Sequence, residues 1–139
     1  MATKKPSKPK RRTRGNLEKE LDRVFSIFIR MREANENGIA HCFTCGKADL
    51  WTAMDNGHYI SRVHRSTRWN ELNCHIQCKR CNIFLKGNYP AYSLALTRKY
   101  GANVLEELSI LKNQTRKFGT FELETMIAYY REINGQKLS

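Results

Sequence analysis

The fold of this chain is decided by residues 42–82, which read CFTCGKADLWTAMDNGHYISRVHRSTRWNELNCHIQCKRCN. The stretch opens on one Cys-x-x-Cys pair, Cys42 and Cys45, and closes on a second, Cys78 and Cys81, with 32 residues between the pairs. A two-residue gap lets one tight turn aim both sulfurs of a pair at the same ion, and four thiolates in two such turns form a tetrahedral Zn²⁺ site. The sequence therefore predicts a structural zinc ion bound by these four cysteines.

Two other roles for the cysteine pairs fit the sequence less well. Disulfides form in an oxidising compartment, and the first residues do not read as a secretory signal. A thioredoxin-like redox pair needs only one such motif in a parallel α/β setting, and no such pattern surrounds either pair. Because a closed four-cysteine site leaves no open position for substrate, the predicted zinc should hold the fold together without performing chemistry.

The segment between the pairs is predicted to form a hairpin that carries polar side chains. Residues 51–60 favour a first strand with a bulge at Asn56-Gly57, residues 72–77 favour a second strand, and residues 79–86 favour a helix. Cys74, the fifth cysteine, is interpreted as a small buried apolar residue and not as a nucleophile. The hairpin and its flanks carry these candidates for chemistry: Asp55, His58, His64, Asn73, His75 and Asn82.

The order of these residues resembles that of the HNH (ββα-metal) nucleases. In that family a His on the first strand, an Asn near the second and a His or Asn on the following helix surround one divalent cation, and the matching residues are His58, Asn73 and Asn82. The resemblance is closer still to the NinG (Rap) recombination endonucleases of lambdoid phages, over residues 42 to about 108. It rests on Asp55-Asn56-Gly57-His58-Tyr59, Arg68-Trp69-Asn70-Glu71, Asn73-x-His75-x-Gln77-Cys78-x-x-Cys81-Asn82 and Gly87-Asn88.

This resemblance implies a catalytic site with His58 as general base. Asn73 is then expected to hold the imidazole of His58, and Asn82 to contribute an oxygen to a catalytic Mg²⁺, which Mn²⁺ could replace. Many HNH enzymes carry an Asp or His directly before the base, but this chain has Gly57 there. The missing ligand is expected from Asp55 or from His75, and the sequence leaves that choice open.

Basic residues favour nucleic acid as the partner. The chain has a formal net charge of +12, and seven of its basic residues lie in residues 1–15, which contain no acidic residue. The remainder, with 18 basic and 13 acidic residues, keeps a net charge of +5. Guanidinium and ammonium groups neutralise phosphates. The residues expected to contact DNA are Arg11, Arg12, Arg62, Arg65, Arg68, Lys79, Arg80 and Lys86.

The predicted architecture is one α+β domain behind a disordered basic arm. The arm spans residues 1–15, and the domain spans residues 16–139. Within the domain a zinc-stapled ββα-metal (HNH) core at residues 39–88 is flanked by a helix at 16–35, which Asn16 should cap, and by helices at 89–134. Those last helices are expected at 89–100, 103–111 and 120–133. No apolar run approaches the roughly 18 residues that span a membrane, and we expect a cytoplasmic protein, in the bacterial host if the gene is phage-encoded.

The function expected from the residues and the resemblance together is metal-dependent DNA cleavage. The NinG resemblance implies branched recombination intermediates such as Holliday junctions as the substrate. Paired, symmetrical cuts would suit a homodimer. Two alternatives stay open: an HNH enzyme that nicks or cuts linear duplex, and a zinc-knuckle module that binds nucleic acid without cutting it.

Overall fold

The computed structural model describes residues 12–138, and within them the chain is a mixed α+β protein, as the sequence predicts. Predictions for Arg11 and for most of the basic arm lie outside the described residues. The helices and strands, in chain order, are α1 Arg14–Met31, β1 Ile39–His41, β2 Ala48–Leu50, β3 Asp55–His58, α2 Arg65–Arg68, β4 Cys74–Gln77, α3 Tyr89–Tyr100, α4 Val104–Lys112 and α5 Thr120–Leu138.

The strands form two separate antiparallel pairs. Strand β1 pairs with β2, from Ile39 opposite Leu50 to His41 opposite Ala48. Strand β3 pairs with β4 in unbroken register, from Asp55 opposite Gln77 to His58 opposite Cys74. The bulge predicted within β3 is therefore wrong, because each residue from 55 to 58 has one partner.

Two short segments differ from the predicted secondary structure for local reasons. The first strand was expected to begin at residue 51, but Trp51–Ala53 is a 3₁₀ turn that separates β2 from β3. The helix expected at residues 79–86 is a single wide turn, a π-helix at Arg80–Phe84. The turn ends because the next residues, Lys86, Gly87 and Asn88, all have positive φ angles. A positive φ is incompatible with a right-handed helix.

Helix α1 contributes five buried side chains to one cluster of the core. It begins two residues earlier than predicted, because its N-cap is Thr13 and not Asn16. Thr13 Oγ1 accepts a hydrogen bond from the Asn16 backbone N–H at 3.1 Å. It also ends four residues earlier, at Met31. Beyond it, Asn35 Oδ1 accepts from the backbone N–H groups of Asn37 and Ile39, at 2.9 Å each, and so builds a turn.

Helices α1 and α5 pack side by side and run in the same direction. Arg131 pairs with Glu20 near the start of the contact, and Lys137 donates to the Met31 carbonyl at its end. The buried side chains between them are Leu17, Leu21, Val24, Phe25, Leu123, Ile127 and Tyr130. Helix α3 begins and ends where the sequence predicts, α4 is shifted by one residue, and α5 is five residues longer than expected.

Three buried clusters position the hairpin β3–β4. One lies between α1 and α5 and includes Trp69 and Cys74. A second surrounds the cysteines of the two Cys-x-x-Cys pairs. The third joins α3 and α4 through Tyr92, Leu96, Val104 and Leu108. Cys74 is completely buried, as predicted for a structural cysteine. Among the described residues, no helix has the length and apolar character needed to cross a membrane.

Candidate metal centre and catalytic cleft

The four cysteines of the Cys-x-x-Cys pairs form one cluster. Their Sγ atoms lie within 4.8 Å of one another, and those of Cys45 and Cys78 are 3.7 Å apart. A tetrahedron with Zn–S bonds of about 2.3 Å has edges of about 3.8 Å, whereas a disulfide would need about 2.05 Å. The cluster therefore fits a metal ion such as zinc, and all five cysteines are free of disulfides.

Local backbone geometry aims these sulfurs at a common point. Gly46 has a φ of 79°, and its N–H donates to the Cys42 carbonyl at 2.8 Å, which closes the first turn. The Phe43 N–H donates to the Ile76 carbonyl at 2.9 Å and joins that turn to β4. Burial acts to raise the pKa of Cys42, but hydrogen bonds from Thr44 and from nearby backbone groups lower it to about 6. One thiol is thus biased toward the thiolate that binds metals.

His58, the expected base, stands at the end of β3 with its ring partly buried. Its Nε2 lies 2.9 Å from the backbone carbonyl oxygen of Arg68. A carbonyl only accepts hydrogen bonds, so Nε2 carries the proton and Nδ1 keeps its lone pair. Burial lowers the pKa of His58 below 6.5, and the carbonyl contact opposes that shift only in part. The ring is therefore neutral near pH 7 and can accept a proton at Nδ1.

An open cleft of about 390 Å³ lies over His58. It runs between α1, which contributes Asp22 and Ser26, and the wide turn after β4. The other polar residues that line it are Asn56, Ser61, Arg62, Asn82 and Lys86. The cleft thus joins a neutral imidazole, amide groups, two cations and the Asp22 carboxylate, which is paired with Arg68. With that carboxylate neutralised, the cleft is a suitable environment for a phosphodiester.

Asn73 does not contact the imidazole of His58, contrary to the role expected for it. Its buried side chain accepts from the Ile60 N–H at 2.7 Å and donates to the carbonyls of Ile60 and Thr67, at 3.0 and 3.1 Å. It therefore fixes the loop whose next residue, Arg68, supplies the carbonyl for His58. Asn73 acts on the imidazole only through the backbone.

Asn82 and Asp55 are brought together, as the sequence suggests. Asn82 Nδ2 donates to Asp55 Oδ2 at 3.1 Å, and Lys79 Nζ donates to Asp55 Oδ1 at 2.8 Å. Asn82 lines the cleft with His58, but Asp55 does not. Lys79 is therefore an ion-pair partner of Asp55 in this structure and not a free cation for DNA.

His75 is not available as a metal ligand, which corrects its expected role. Its ring is buried and stacks on Phe43, with ring centroids 3.9 Å apart. Nδ1 lies 3.1 Å from the Tyr92 hydroxyl and Nε2 lies 2.7 Å from the Tyr100 hydroxyl. With both nitrogens engaged, His75 ties β4 to α3 and has no atom free for a cation. Burial lowers its pKa to about 3.

Gln77 is a site residue that the sequence analysis did not single out. A Cβ added at Gly57 would lie 1.9 Å from Gln77 Oε1 and 2.5 Å from its carbonyl carbon, so the carboxamide fills the space where residue 57 would project a side chain. Gln77 Nε2 donates to the Gly87 carbonyl at 2.9 Å and to Thr44 Oγ1 at 3.2 Å. Gly57 lies opposite His75 and Gln77 lies opposite Asp55, so Gly57 and Gln77 are diagonal neighbours on one face of the hairpin. Only the strand register shows that the two belong together.

The residues expected to contact DNA divide into two groups. Arg68 is only 15% exposed and forms a forked ion pair with Asp22, at 2.6 and 3.0 Å, so it stabilises α1 against α2 and is not free for DNA. Arg65 pairs with the buried Glu18 but remains half exposed. The members that are exposed without an acidic partner in the described region are Arg12, Arg62, Arg80 and Lys86.

A second, more basic cleft adjoins the first. It holds about 700 Å³ and lies between the start of α1, the loop before α2 and the α4–α5 connection. Ser61 and Arg62 line the first cleft and residues 63–66 line the second, so one loop separates them. Its cationic residues are Arg14, Arg65, Lys112, Arg116 and Lys117. These residues are distant in sequence, and the fold brings them together.

Comparison with known proteins places this chain in a family. The family described as Bacteriophage Lambda NinG protein matches residues 2–137, which is nearly the whole chain. The chain belongs to the NinG family. It is 31% identical to protein ninG of Escherichia phage lambda over 100 residues, which cover 70% of this chain and 46% of that protein. It is 28% identical to protein ninG of Salmonella phage P22 over 116 residues, 82% of this chain and 54% of the relative.

This NinG-family chain spans about half the length of the curated relatives that it matches. No solved structure is significantly similar to it. The NinG family match includes both cysteine pairs, His58, Asn82 and the residues of the second cleft.

Proposed function

We propose that this NinG-family protein is a metal-dependent DNA endonuclease built on a zinc-stapled ββα-metal (HNH) core. The observation that carries the proposal is the fixed tautomer of His58, whose Nε2 bonds to the Arg68 carbonyl while the ring borders an open cleft. A neutral imidazole held in this way is a general base. The hairpin β3–β4 and the wide turn that follows it support the proposal, because such a core is built from two strands and a helical element.

In the proposed reaction a water molecule attacks phosphorus in line with the departing O3′. His58 Nδ1 takes a proton from that water, and the Arg68 carbonyl holds the ring in place throughout. Arg62 and Lys86, both exposed and both in the cleft, position the negatively charged phosphate. Asn73 contributes by holding the loop that carries the Arg68 carbonyl.

A carboxylate and an amide at the cleft over His58 fit a hard divalent cation such as Mg²⁺. Asp55 offers a carboxylate next to the amide of Asn82, and Mg²⁺ in proteins is typically bound by one or two carboxylates with several waters. Asn82 also lines that cleft. Asp55 and Asn82 would hold the cation. Bound there, it would stabilise the charge that develops on the phosphate and on O3′.

Zinc is proposed as the ion of the four-cysteine cluster because its tetrahedral S₄ geometry matches the observed sulfur spacing. The ion would join the β1–β2 pair to β4 and to the wide turn that carries Asn82. Its role is to position the cleft, since four sulfurs leave no position for substrate or water.

Branched recombination intermediates, with a homodimer making paired cuts, are the proposed substrate and assembly. The proposal rests on the NinG resemblance and on a DNA-binding surface that spans two clefts. The engagement of Asp55 by Lys79 favours the alternative of a binding module without catalysis, because a carboxylate in an ion pair is less available to a cation. Cleavage of linear duplex is the second alternative.

A substrate panel separates these functions. Labelled four-way junction, flap and linear duplex DNA are incubated with the zinc-loaded protein, with Mg²⁺ omitted, restored or replaced by Mn²⁺. Omission is preferable to a strong chelator, which would also remove zinc. Cutting of the junction alone, dependent on the added metal, is the expected result. Equal cutting of all substrates would discard the branch preference, and tight binding without cutting in either metal would overturn the nuclease.

A further inference from the structure

An exposed apolar turn lies directly beside the catalytic cleft. We define the apolar turn as Ile83, Phe84 and Leu85, whose exposed fractions are 56%, 78% and 44%. Residues on both sides of it, Asn82 and Lys86, line the cleft over His58. Three consecutive large apolar side chains in water are unfavourable, and such a patch usually marks an interaction site.

The apolar turn is held rigidly. The Gly87 N–H donates to the Cys81 carbonyl at 2.9 Å, the Leu85 N–H donates to the Arg80 carbonyl at 2.8 Å, and Gln77 Nε2 donates to the Gly87 carbonyl at 2.9 Å. Cys81 belongs to the four-cysteine cluster. The exposed side chains are therefore presented by a fixed backbone, as an insertion element requires.

The charges around the apolar turn indicate which kind of partner covers it. Arg80 and Lys86 flank it in sequence, and both are exposed. Protein–protein interface cores are depleted in charged residues, lysine above all. Surfaces that bind nucleic acid combine cations for the backbone with aromatic or aliphatic side chains that stack on bases or enter between them. The composition of this surface is of the second kind.

We propose that Phe84 inserts among the bases of the DNA whose scissile phosphate lies in the His58 cleft, and so selects DNA with unstacked bases. This inference rests on the proposed function, because Asn82 and Lys86, on either side of the apolar turn, line the cleft that would hold the DNA. In continuous duplex, insertion requires a base step to be unstacked at a cost in free energy. At a branch point the stack is already interrupted, so insertion there is easier, and the apolar turn gives the cleft its preference for branched DNA.

The test uses fluorescence of 2-aminopurine placed at the branch point of a four-way junction, because the emission of this base changes with the groups stacked on it. The zinc-loaded protein is added without Mg²⁺, so that binding occurs without cutting. The wild type should change the emission of the probe at the branch and leave that of a probe within an arm unchanged. Phe84→Ala should lose most of that signal and weaken junction binding by about 5- to 150-fold, the range for removing one stacked aromatic side chain. Phe84→Trp, which keeps a ring, should retain the signal.

Phe121→Ala is the matched control, because Phe121 is 82% exposed at the start of α5 and lines neither cleft. It should behave as wild type. If Phe84→Ala changes the probe emission and binds like wild type, the insertion is wrong. Cleavage of the same junction by Phe84→Ala in Mg²⁺ tests the proposed nuclease separately. If Phe84→Ala instead converts a dimer to a monomer in sedimentation, with an unchanged probe signal, the turn is a contact between two copies and the inference is overturned.

Discussion

His58 shows how far the residues of the site follow from the sequence. Its place in a Gly-His-Tyr step before a Cys-x-x-Cys pair predicts the base, but the group that fixes its tautomer is a backbone carbonyl ten residues away. Every residue has a carbonyl, so no sequence pattern marks that of Arg68. Asn73 was expected to hold the imidazole of His58, but it bonds to the backbone of Ile60 and Thr67 instead, because its hydrogen-bond partners depend on how the loop folds back.

Gly57 and Gln77 form a pair whose packing can be tested. Gly57→Ala should lower the free energy of unfolding by about 1–3 kcal/mol, because the new methyl group would force the fully buried Gln77 carboxamide away from Thr44 and Gly87. Urea denaturation measures the change. The cost should shrink in a Gln77→Ala background, where the space is empty.

Gly135→Ala is the control for that substitution, since a Cβ there meets nothing within 4 Å in helix α5. It should raise stability by about 0.5–1 kcal/mol. An equal cost of Gly57→Ala with and without Gln77 would show that the two residues do not interact as described.

His75 should make the stability of the fold depend on pH. Its pKa is lowered to about 3 by burial, whereas an unfolded histidine titrates near 6.5. Between these values the unfolded chain binds the extra proton, so stability rises with pH from about 3 to about 6.5 and is fully present above that. At pH 5 the wild type should have lost up to about 2 kcal/mol from this residue relative to pH 7.

Comparison with His75→Phe isolates that effect, because the variant has no proton to gain. Urea denaturation of both proteins at pH 5, 6 and 7 in excess zinc should show a gap that narrows as the pH falls. His41→Phe, at an exposed histidine, should follow the wild type. Parallel curves for wild type and His75→Phe would contradict the buried neutral imidazole.

The elements of the fold differ in how well the sequence predicts them. Helix α3 is marked by Pro90 in its first turn and Gly101 after its last, and both of its ends follow from these residues. Strand β2 has only three residues and no apolar alternation, and pairing with β1 defines it. The wide turn at 80–84 was expected as a regular helix because residue pattern alone does not report the constraint that two cysteines place on the backbone.

The four-cysteine cluster should bind one zinc ion and so hold the two Cys-x-x-Cys turns together. Cys78→Ser should remove the zinc and destabilise the fold, because an ion held by the four cysteines would join the β1–β2 pair to β4. Zinc content by atomic absorption and thermal unfolding by circular dichroism measure these effects. Cys74→Ser tests specificity, since this buried thiol lies outside the cluster and its loss should leave the zinc content at one. Full zinc content in Cys78→Ser would contradict the assignment.

For the molecule as a whole, the two adjoining clefts form one basic surface. Its residues come from parts of the chain that are distant in sequence, among them the start of α1, the loop before α2 and the α4–α5 connection. Net charge predicted a nucleic-acid partner, but only the fold shows where the charges converge. The Arg14, Lys112 and Lys117 side chains are exposed there with no acidic partner in the described residues.

Removal of two of these charges should change how DNA binding depends on salt. Lys112→Ala with Lys117→Ala should reduce the slope of log K against log salt by about 1–2, because each phosphate contact releases counterions. Filter binding to a labelled junction over a range of KCl concentrations gives the slope. Lys19→Ala with Lys47→Ala removes the same charge outside both clefts and should leave the slope near the wild-type value. Identical slopes for the two double variants would show that DNA does not reach the second cleft.

The assignment of His58 as the base is tested most directly by single-turnover cleavage of a labelled four-way junction with Mg²⁺, comparing wild type, His58→Ala and His64→Ala at equal zinc content. His64 is a nearby histidine outside the first cleft, so its variant should cut within a few-fold of the wild-type rate. His58→Ala should cut about 10²–10⁴-fold more slowly while binding the junction with unchanged affinity. A His58→Ala rate equal to that of His64→Ala would contradict the mechanism proposed for this cleft.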